Sequence, residues 1–508
     1  MMEYRRLIAL LVLSFSLIMS EAVASDSLAP FLKTHWRQDA PFNDFAPVIV
    51  ENPDAEDTYL GRAPCGCVAT ALAQVMRAWE WPYCAGEVRT SKHSVSQGSV
   101  MDKGVDIYLR VDARAPFHWE AMGADGTGDR FETARLLLWI DSLVEMMFAR
   151  TGSGADIYDF KRAGAAWFEP YENVPKYDPL FAEKIVAELK RGYPVTMMIP
   201  GHQVVADEWK NEDGIDYVHM NHGWGGKDDG WYPLQGDNVI IQAAQLIRPI
   251  RTAQFEDLPM ESEGEVLLRW HVPRFYARDI TGFTIIERQG GKITRTFEVG
   301  SEVRELRVFG LLPPNAYAYT VTPKMEGAVE SKAAETTAVV AARPRPTIPQ
   351  MPRVTLSREG GSFEVEGVNL ISLEALPSHI SYLPDAKVSV VASENGRWKI
   401  SLSPSNMPNR QNIIMTLVGT GLSGEKDVRD MAVHFGDPDP IDLTQFRIVL
   451  FRLEEGEVSL ETAPSRAELE EAGYTLEVQG SSSLGSHLWE KATNEHRFFR
   501  AIATPRGE

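Results

Sequence analysis

A thiol and an imidazole pose the first question of this sequence. From Cys67 onward the chain has helical spacing, with Val68, Leu72, Val75, Met76 and Trp79 recurring on one face. Pro82 then ends the run. A cysteine in a first helical turn meets unpaired N–H groups and the positive end of the helix dipole. Both lower its pKa and favour the thiolate, the nucleophilic form. The partner for such a thiol is a base. Residues 193–199 read as a buried strand, Pro200 and Gly201 as a turn, and residues 203–206 as a second strand, so His202 projects from a strand end. Cys67 as nucleophile and His202 as general base and acid would together cleave acyl bonds through a thioester.

Two other segments hold residue types that this chemistry needs. Gln38 lies 29 residues before Cys67, and its side-chain amide could donate to the oxyanion formed when the thiolate attacks a carbonyl. The Cys67 backbone N–H is the natural second donor. Downstream runs His219-Met220-Asn221-His222-Gly223-Trp224-Gly225-Gly226, then Asp228-Asp229-Gly230-Trp231-Tyr232. A polar residue of this turn could orient His202, with a tryptophan shielding that contact from water. His222 and Trp224 are the candidates.

Four motifs resemble the catalytic domain of the C10 cysteine peptidases: Trp36-x-Gln38-x-x-Pro41-Phe42-Asn43, Gly66-Cys67-Val68-Ala69-Thr70-Ala71 with Ala73-Gln74-Val75-Met76, Gly201-His202 before a strand, and Asn221-x-Gly223-Trp224-Gly225-Gly226. Gly152-Ser153-Gly154-Ala155 is similar to a loop of the same family. The separation of 135 residues between Cys67 and His202 falls in the range of about 130–150 expected of papain-like enzymes. The resemblance implies an α+β papain-like fold with Cys67 on a helical half, His202 on a sheet half and the cleft between them. It also implies Gln38 as oxyanion donor and Trp224 as the shielding aromatic. His222 departs from the family, which has tryptophan there, and its ring is expected either to orient His202 or to disturb it. Cys65 is a second departure, a thiol beside the nucleophile. Only 42 residues separate Ser25 from Cys67, fewer than an inhibitory prodomain of the family's kind would need.

The three cysteines, Cys65, Cys67 and Cys84, are an odd number, which leaves one thiol free in an exported chain. Cys65 could pair with Cys84 across the intervening helix. A metal cage would need better ligand spacing. His219 and His222 point to opposite faces of a strand, which argues against a site there, and Asp125 to Glu132 lacks a full calcium-ligand series. No cofactor and no metal are expected.

These residues must be carried by elements of a long chain. With 508 residues, 44% of them hydrophobic and 24% charged, the sequence calls for several globular domains. Arg5 and Arg6, the apolar run 7–19 and Ala22-Val23-Ala24 read as a cleaved signal peptide, residues 1–24, too short for a membrane span. The mature chain is then secreted, periplasmic or at the cell surface. The catalytic domain is assigned to residues 25–250. Beyond it come all-β units: a fibronectin type III-like domain at 257–341, a β-sandwich-like domain at 353–436 and a small β-rich domain at 440–508.

Pro-rich connectors at 342–349 and 436–440 divide these units. Asn395-Gly396 marks a hairpin turn, and Ser465 with Glu468 a helix cap. All candidate catalytic residues precede residue 250, so that part alone should hold the chemistry. A net charge of −20 disfavours nucleic acid and anionic lipid. Protein or peptide substrates are the expected partners, without membrane insertion. Trp270, Trp398 and Trp489 are read as core, which leaves a glycan or cell-surface contact through the β units as the weaker option. The competing reading of the whole is an inactive peptidase-like adhesion or binding protein, with His222 as the disabling residue.

Overall fold

A computed structural model describes residues 32–50, 59–124, 128–256, 264–312, 316–328, 331–339, 346–393, 396–422 and 424–437, and five backbone strands between 447 and 505. The expected signal peptide, Asp125, Asn395, the helix begun at Ser465 and Trp489 lie outside the described residues, as do residues 342–345 and 438–440 of the connectors.

The described residues between 32 and 250 fold as two halves with separate cores. The helical half contains α1 (Cys67–Trp79), α2 (Arg130–Leu143) and α3 (Ile157–Ala163). Beside them lie a short pair, β1 (Val48–Val50) with β2 (Tyr59–Arg62), and a three-stranded sheet of β3 (Val88–Ser96), β4 (Val105–Asp112) and β5 (Phe148–Ala149) in the order β4-β3-β5. The sequence pattern gives α1 one apolar face, yet every residue from Val68 to Trp79 except Arg77 is buried. It is a central helix, covered on all sides.

The sheet half is built from β6 (Glu172–Pro175), β7 (Val195–Ile199), β8 (His202–Glu212), β9 (Ile215–Asn221), β10 (Gly230–Pro233) and β11 (Ala243–Leu246). They form one antiparallel sheet in the order β10-β9-β8-β7-β11-β6, packed against α4 (Phe181–Lys190). Ile199 pairs with His202 across the Pro200-Gly201 turn, so the imidazole sits at the tip of a tight hairpin. The α+β arrangement is the one expected, with the start of β8 set against the start of α1.

All-β units follow. Strands Gln254–Phe255, Glu265–His271 and Glu305–Phe309 form one sheet, and Lys292–Gly300, Ile280–Gln289, Ala316–Met325 and Ala334–Val339 form the other in that spatial order. Trp270, Phe283 and Tyr319 fill the space between them. The next unit pairs a four-stranded with a three-stranded sheet, the latter including the expected hairpin of Val388–Ala392 with Arg397–Leu402. Ile348, within a segment read as connector, is buried in this unit's core. Past residue 446 the backbone forms a hairpin and a three-stranded sheet.

Two of these units share the core of the first. Trp79, the last residue of α1, packs on Tyr193, Phe275 and Tyr276 with ring centroids 4.8, 4.9 and 5.0 Å away. The third unit closes the open edge of β4, where Arg110 N–H donates to Ser378 O at 2.6 Å and Tyr108 N–H to Ser381 Oγ at 2.7 Å. Arg135 of α2, almost wholly buried, reaches Asp430 of that unit at 3.1 Å and Glu132 at 2.9 Å. The part before residue 250 therefore shares packed contacts with the two units that follow it.

Candidate active site

Cys67 is the first residue of α1, where helical N–H groups lack intrahelical acceptors. Gly66 before it has φ +78°, and a Cβ there would lie 2.9 Å from Met146 Sδ and 3.0 Å from Ser153 O. Glycine is what lets the chain enter the helix against the 152–155 loop. Gln38 runs alongside, its carbonyl accepting from Cys65 N–H at 2.9 Å. The N–H of Gln203, the residue after His202, donates toward the Cys67 sulfur. The main chain beside His202 and the main chain of Gln38 thus both run against the start of α1.

Burial pushes the Cys67 thiol up, and the N–H groups of Gln203, Cys67 and Val68 pull it only partly back. The helix start acts in the expected direction, but desolvation outweighs it. His202 is pushed down, first by burial and also by the neighbouring His222 ring, against the support of the His222 carbonyl. A lone charge is unfavourable on either group, so the charged pair depends on both forming together.

The His202 ring is held from the main chain. Its Nε2 lies 2.8 Å from the His222 carbonyl oxygen, which can only accept, so Nε2 carries the proton and Nδ1 keeps its lone pair. Trp224 stacks on the imidazole, centroids 4.5 Å apart and planes 28° from parallel. The His222 ring, by contrast, makes no hydrogen bond to His202. It lies 6.1 Å away, packed between Trp224 and Tyr232, and its Nδ1 is buried without a partner. The side chain that departs from the family pattern is thus not the orienting group. The carbonyl does that work, and any residue has one.

Sequence reasoning gave no role to the network behind this turn. Gln74, fully buried two turns along α1 from Cys67, donates to Asn221 Oδ1 at 3.1 Å and accepts from Thr34 Oγ1 at 2.8 Å. Asn221 Nδ2 donates to Thr34 O at 2.6 Å, and its Oδ1 also accepts from Gly223 N–H at 2.9 Å. Asp229 Oδ1 accepts from His222 N–H at 2.8 Å. The one signal available was Gln74 itself, a long polar residue inside an apolar helical run.

The expected bridge between Cys65 and Cys84 is absent, and all three cysteines are free. The reason is length. Cys65 precedes α1 and Cys84 follows it, and 13 helical residues span about 20 Å, far beyond the roughly 7 Å limit for a disulfide. Cys65 is buried against Thr70 Oγ1 at 3.5 Å, with its thiol pushed strongly up by desolvation and by Asp141. His219 Nδ1 is taken by Asp207 at 2.8 Å, and among the described residues no cluster of His, Cys, Asp and Glu could hold a metal ion.

The model of the peptidase C10 family matches residues 36–232, from Trp36 of the first motif to Tyr232 of β10. Residues 36–232 belong to the peptidase C10 family. This C10 segment includes Gln38, Cys67, His202, His222 and Trp224.

Among relatives, the chain is 25% identical over 220 residues to streptopain of Streptococcus pyogenes serotype M28, covering 40% of this chain and 54% of that protein. It is 28% identical over 238 residues to the thiol protease/hemagglutinin PrtT of Porphyromonas gingivalis, covering 41% and 24%. The chain thus spans about half the length of the streptopains it matches, and less of PrtT. Among solved structures, active wild-type interpain A cysteine protease of Prevotella intermedia is similar at 26% identity, with a TM-score of 0.34, over 44% of this chain and 94% of that one.

Proposed function

We propose that the protein is an exported cysteine endopeptidase, with Cys67 as nucleophile and His202 as base and acid. The observation that carries this reading is the His202 ring. Its Nε2 is fixed on the His222 carbonyl at 2.8 Å, leaving Nδ1 as acceptor beside a thiol at a helix start. Membership of the C10 segment in a peptidase family supports it.

In the proposed reaction the Cys67 proton passes to His202 Nδ1 and the thiolate forms a C–S bond to the scissile carbonyl. Cys67 N–H and the Gln38 side-chain amide hold the oxyanion. Imidazolium then protonates the leaving amine as the C–N bond breaks. Water, deprotonated by His202, attacks the thioester, and a second oxyanion collapses to acid and free thiol. Trp224 keeps water off the imidazole hydrogen bond.

The substrates are proteins or peptides. Export rests on the basic-then-apolar start of the sequence, and no described helix is long and apolar enough to cross a membrane. The unit after residue 250 is read as fibronectin type III-like, on the strength of its three-plus-four strand arrangement. The test is cleavage of an unfolded protein substrate together with labelling by an epoxide thiol probe. Label on Cys67 in the wild type, and folded but inert Cys67→Ala, are expected. Turnover that survives Cys67→Ala would refute the reading.

A further inference from the structure

The hydrogen bond that orients His202 comes from a main-chain carbonyl, so something must fix that carbonyl. A trans peptide is planar, with its C=O and N–H pointing opposite ways. Asn221 Oδ1 takes the Gly223 N–H at 2.9 Å, which turns the His222 carbonyl of the same peptide away from Asn221 and toward His202. Gly223, at φ +66°, lets this peptide lie on the nucleophile helix, since a Cβ there would come within 3.0 Å of Thr70 Cγ2. One peptide plane is thereby set, but the chain can still rotate at His222 unless the preceding plane is also held.

We propose that Asp229 is the positioning residue that supplies this second hold. Its Oδ1 accepts the His222 N–H at 2.8 Å, so both peptides flanking His222 are tied down. Asp229 immediately precedes β10, whose first residue, Gly230, pairs with Met220 of β9, so the carboxylate is presented from a fixed ladder. The side chain is only 9% exposed, and its Oδ2 has no hydrogen bond; the solvent-facing His35 ring lies with Nδ1 3.7 Å away. A half-satisfied buried carboxylate is costly, and its one completed bond is to the residue that orients His202. Asp229 acts through geometry: a neutral acceptor of the same shape can replace it.

The proposal rests on the cysteine-peptidase reading, and its test separates the two. Asp229→Leu keeps the volume and removes the acceptor, while Asp229→Asn keeps the acceptor and removes the charge. In Asp229→Leu, kcat should fall about 10²-fold, the scale of a small misplacement of a catalytic group, with KM changed by about twofold at most. The low-field proton resonance of His202 Nε2–H, read in histidine-labelled protein, should vanish. Asp229→Asn should keep that resonance and about a third or more of the rate, since a neutral acceptor is weaker than a charged one.

Wild-type kcat and resonance in Asp229→Leu would overturn the proposal, as would Asp229→Asn being as slow as Asp229→Leu. If Asp229→Leu does not fold, Asp229→Ala takes its place. Should both fail to fold while Asp229→Asn matches wild type, the residue is structural and the proposal falls. A wild type without turnover whose His202 resonance still responds in this pattern would refute the peptidase reading and leave the positioning role standing.

Discussion

The two halves of the site are held in place by different forces. Cys67 is positioned by packing: its helix is buried all round and ends on the Trp79, Tyr193, Phe275 and Tyr276 cluster. His202 is positioned by hydrogen bonds to a turn, through one carbonyl whose two flanking N–H groups are each taken by a side chain. Packing energy is spread over many contacts and degrades gradually, whereas a hydrogen-bonded turn depends on single atoms. Damage to the helical half should therefore appear as lost stability, and damage to the sheet half or the oxyanion side as lost turnover in a folded protein.

Gln38→Ala offers the sharpest contrast on the activity side. It removes an oxyanion donor without touching the core, so kcat should fall on the order of 10²–10³-fold with an unchanged melting curve. A loss below tenfold, measured by steady-state kinetics, would remove Gln38 from the oxyanion site. Trp79→Ala is its opposite. Deleting a fully buried indole should cost about 3–5 kcal/mol in denaturant unfolding, while kcat per folded molecule stays within about threefold of wild type. A fall in kcat of the size expected for Gln38→Ala would mean that helix packing sets chemistry directly.

The smallest effect concerns acid. His93 is buried, bonded to Ser91 Oγ at 2.7 Å and to Met146 O at 2.9 Å, and desolvation pushes its pKa down to about 4. The unfolded chain binds this proton from about pH 6.5 downward and the folded one only near pH 4. The stability contributed by neutral His93 is therefore complete above about 6.5 and is lost as pH falls toward 4, by up to about 3 kcal/mol. His93→Gln, which cannot titrate, should flatten unfolding curves over that window. An unchanged slope would show that other groups govern the acid limb.

What could be read from the sequence follows the same division. Helical periodicity, Pro82 and the strand–turn–strand around His202 are local signals, and they led to the right elements. The orienting contact was not legible, because a carbonyl has no letter of its own; attention went to the His222 ring, which is packed on Trp224 and Tyr232 and makes no hydrogen bond to His202. Gln74 and Asn221 are polar residues whose meaning depends on partners 40 to 187 residues away, and Asp229 holds a main-chain N–H, which has no letter either. The three-cysteine arithmetic failed for a geometric reason, the length of α1. The contacts across the boundary near residue 250 were not legible either, since a change in composition marks a change of unit but says nothing of whether two units share a core.

The Arg135–Asp430 pair sets a clock. Arg135 is buried in α2, and its carboxylate partner is made 295 residues later. At roughly 5–20 residues per second, synthesis leaves that guanidinium waiting about 15–60 s for its counter-charge. Until then Glu132 is its one carboxylate partner among the described residues, beside the Ala115 and Pro116 carbonyls and the Phe117 ring. The final consolidation of the helical half is thereby delayed until the third unit has emerged and docked, so the nascent chain carries Cys67 for tens of seconds before the scaffold around it is complete.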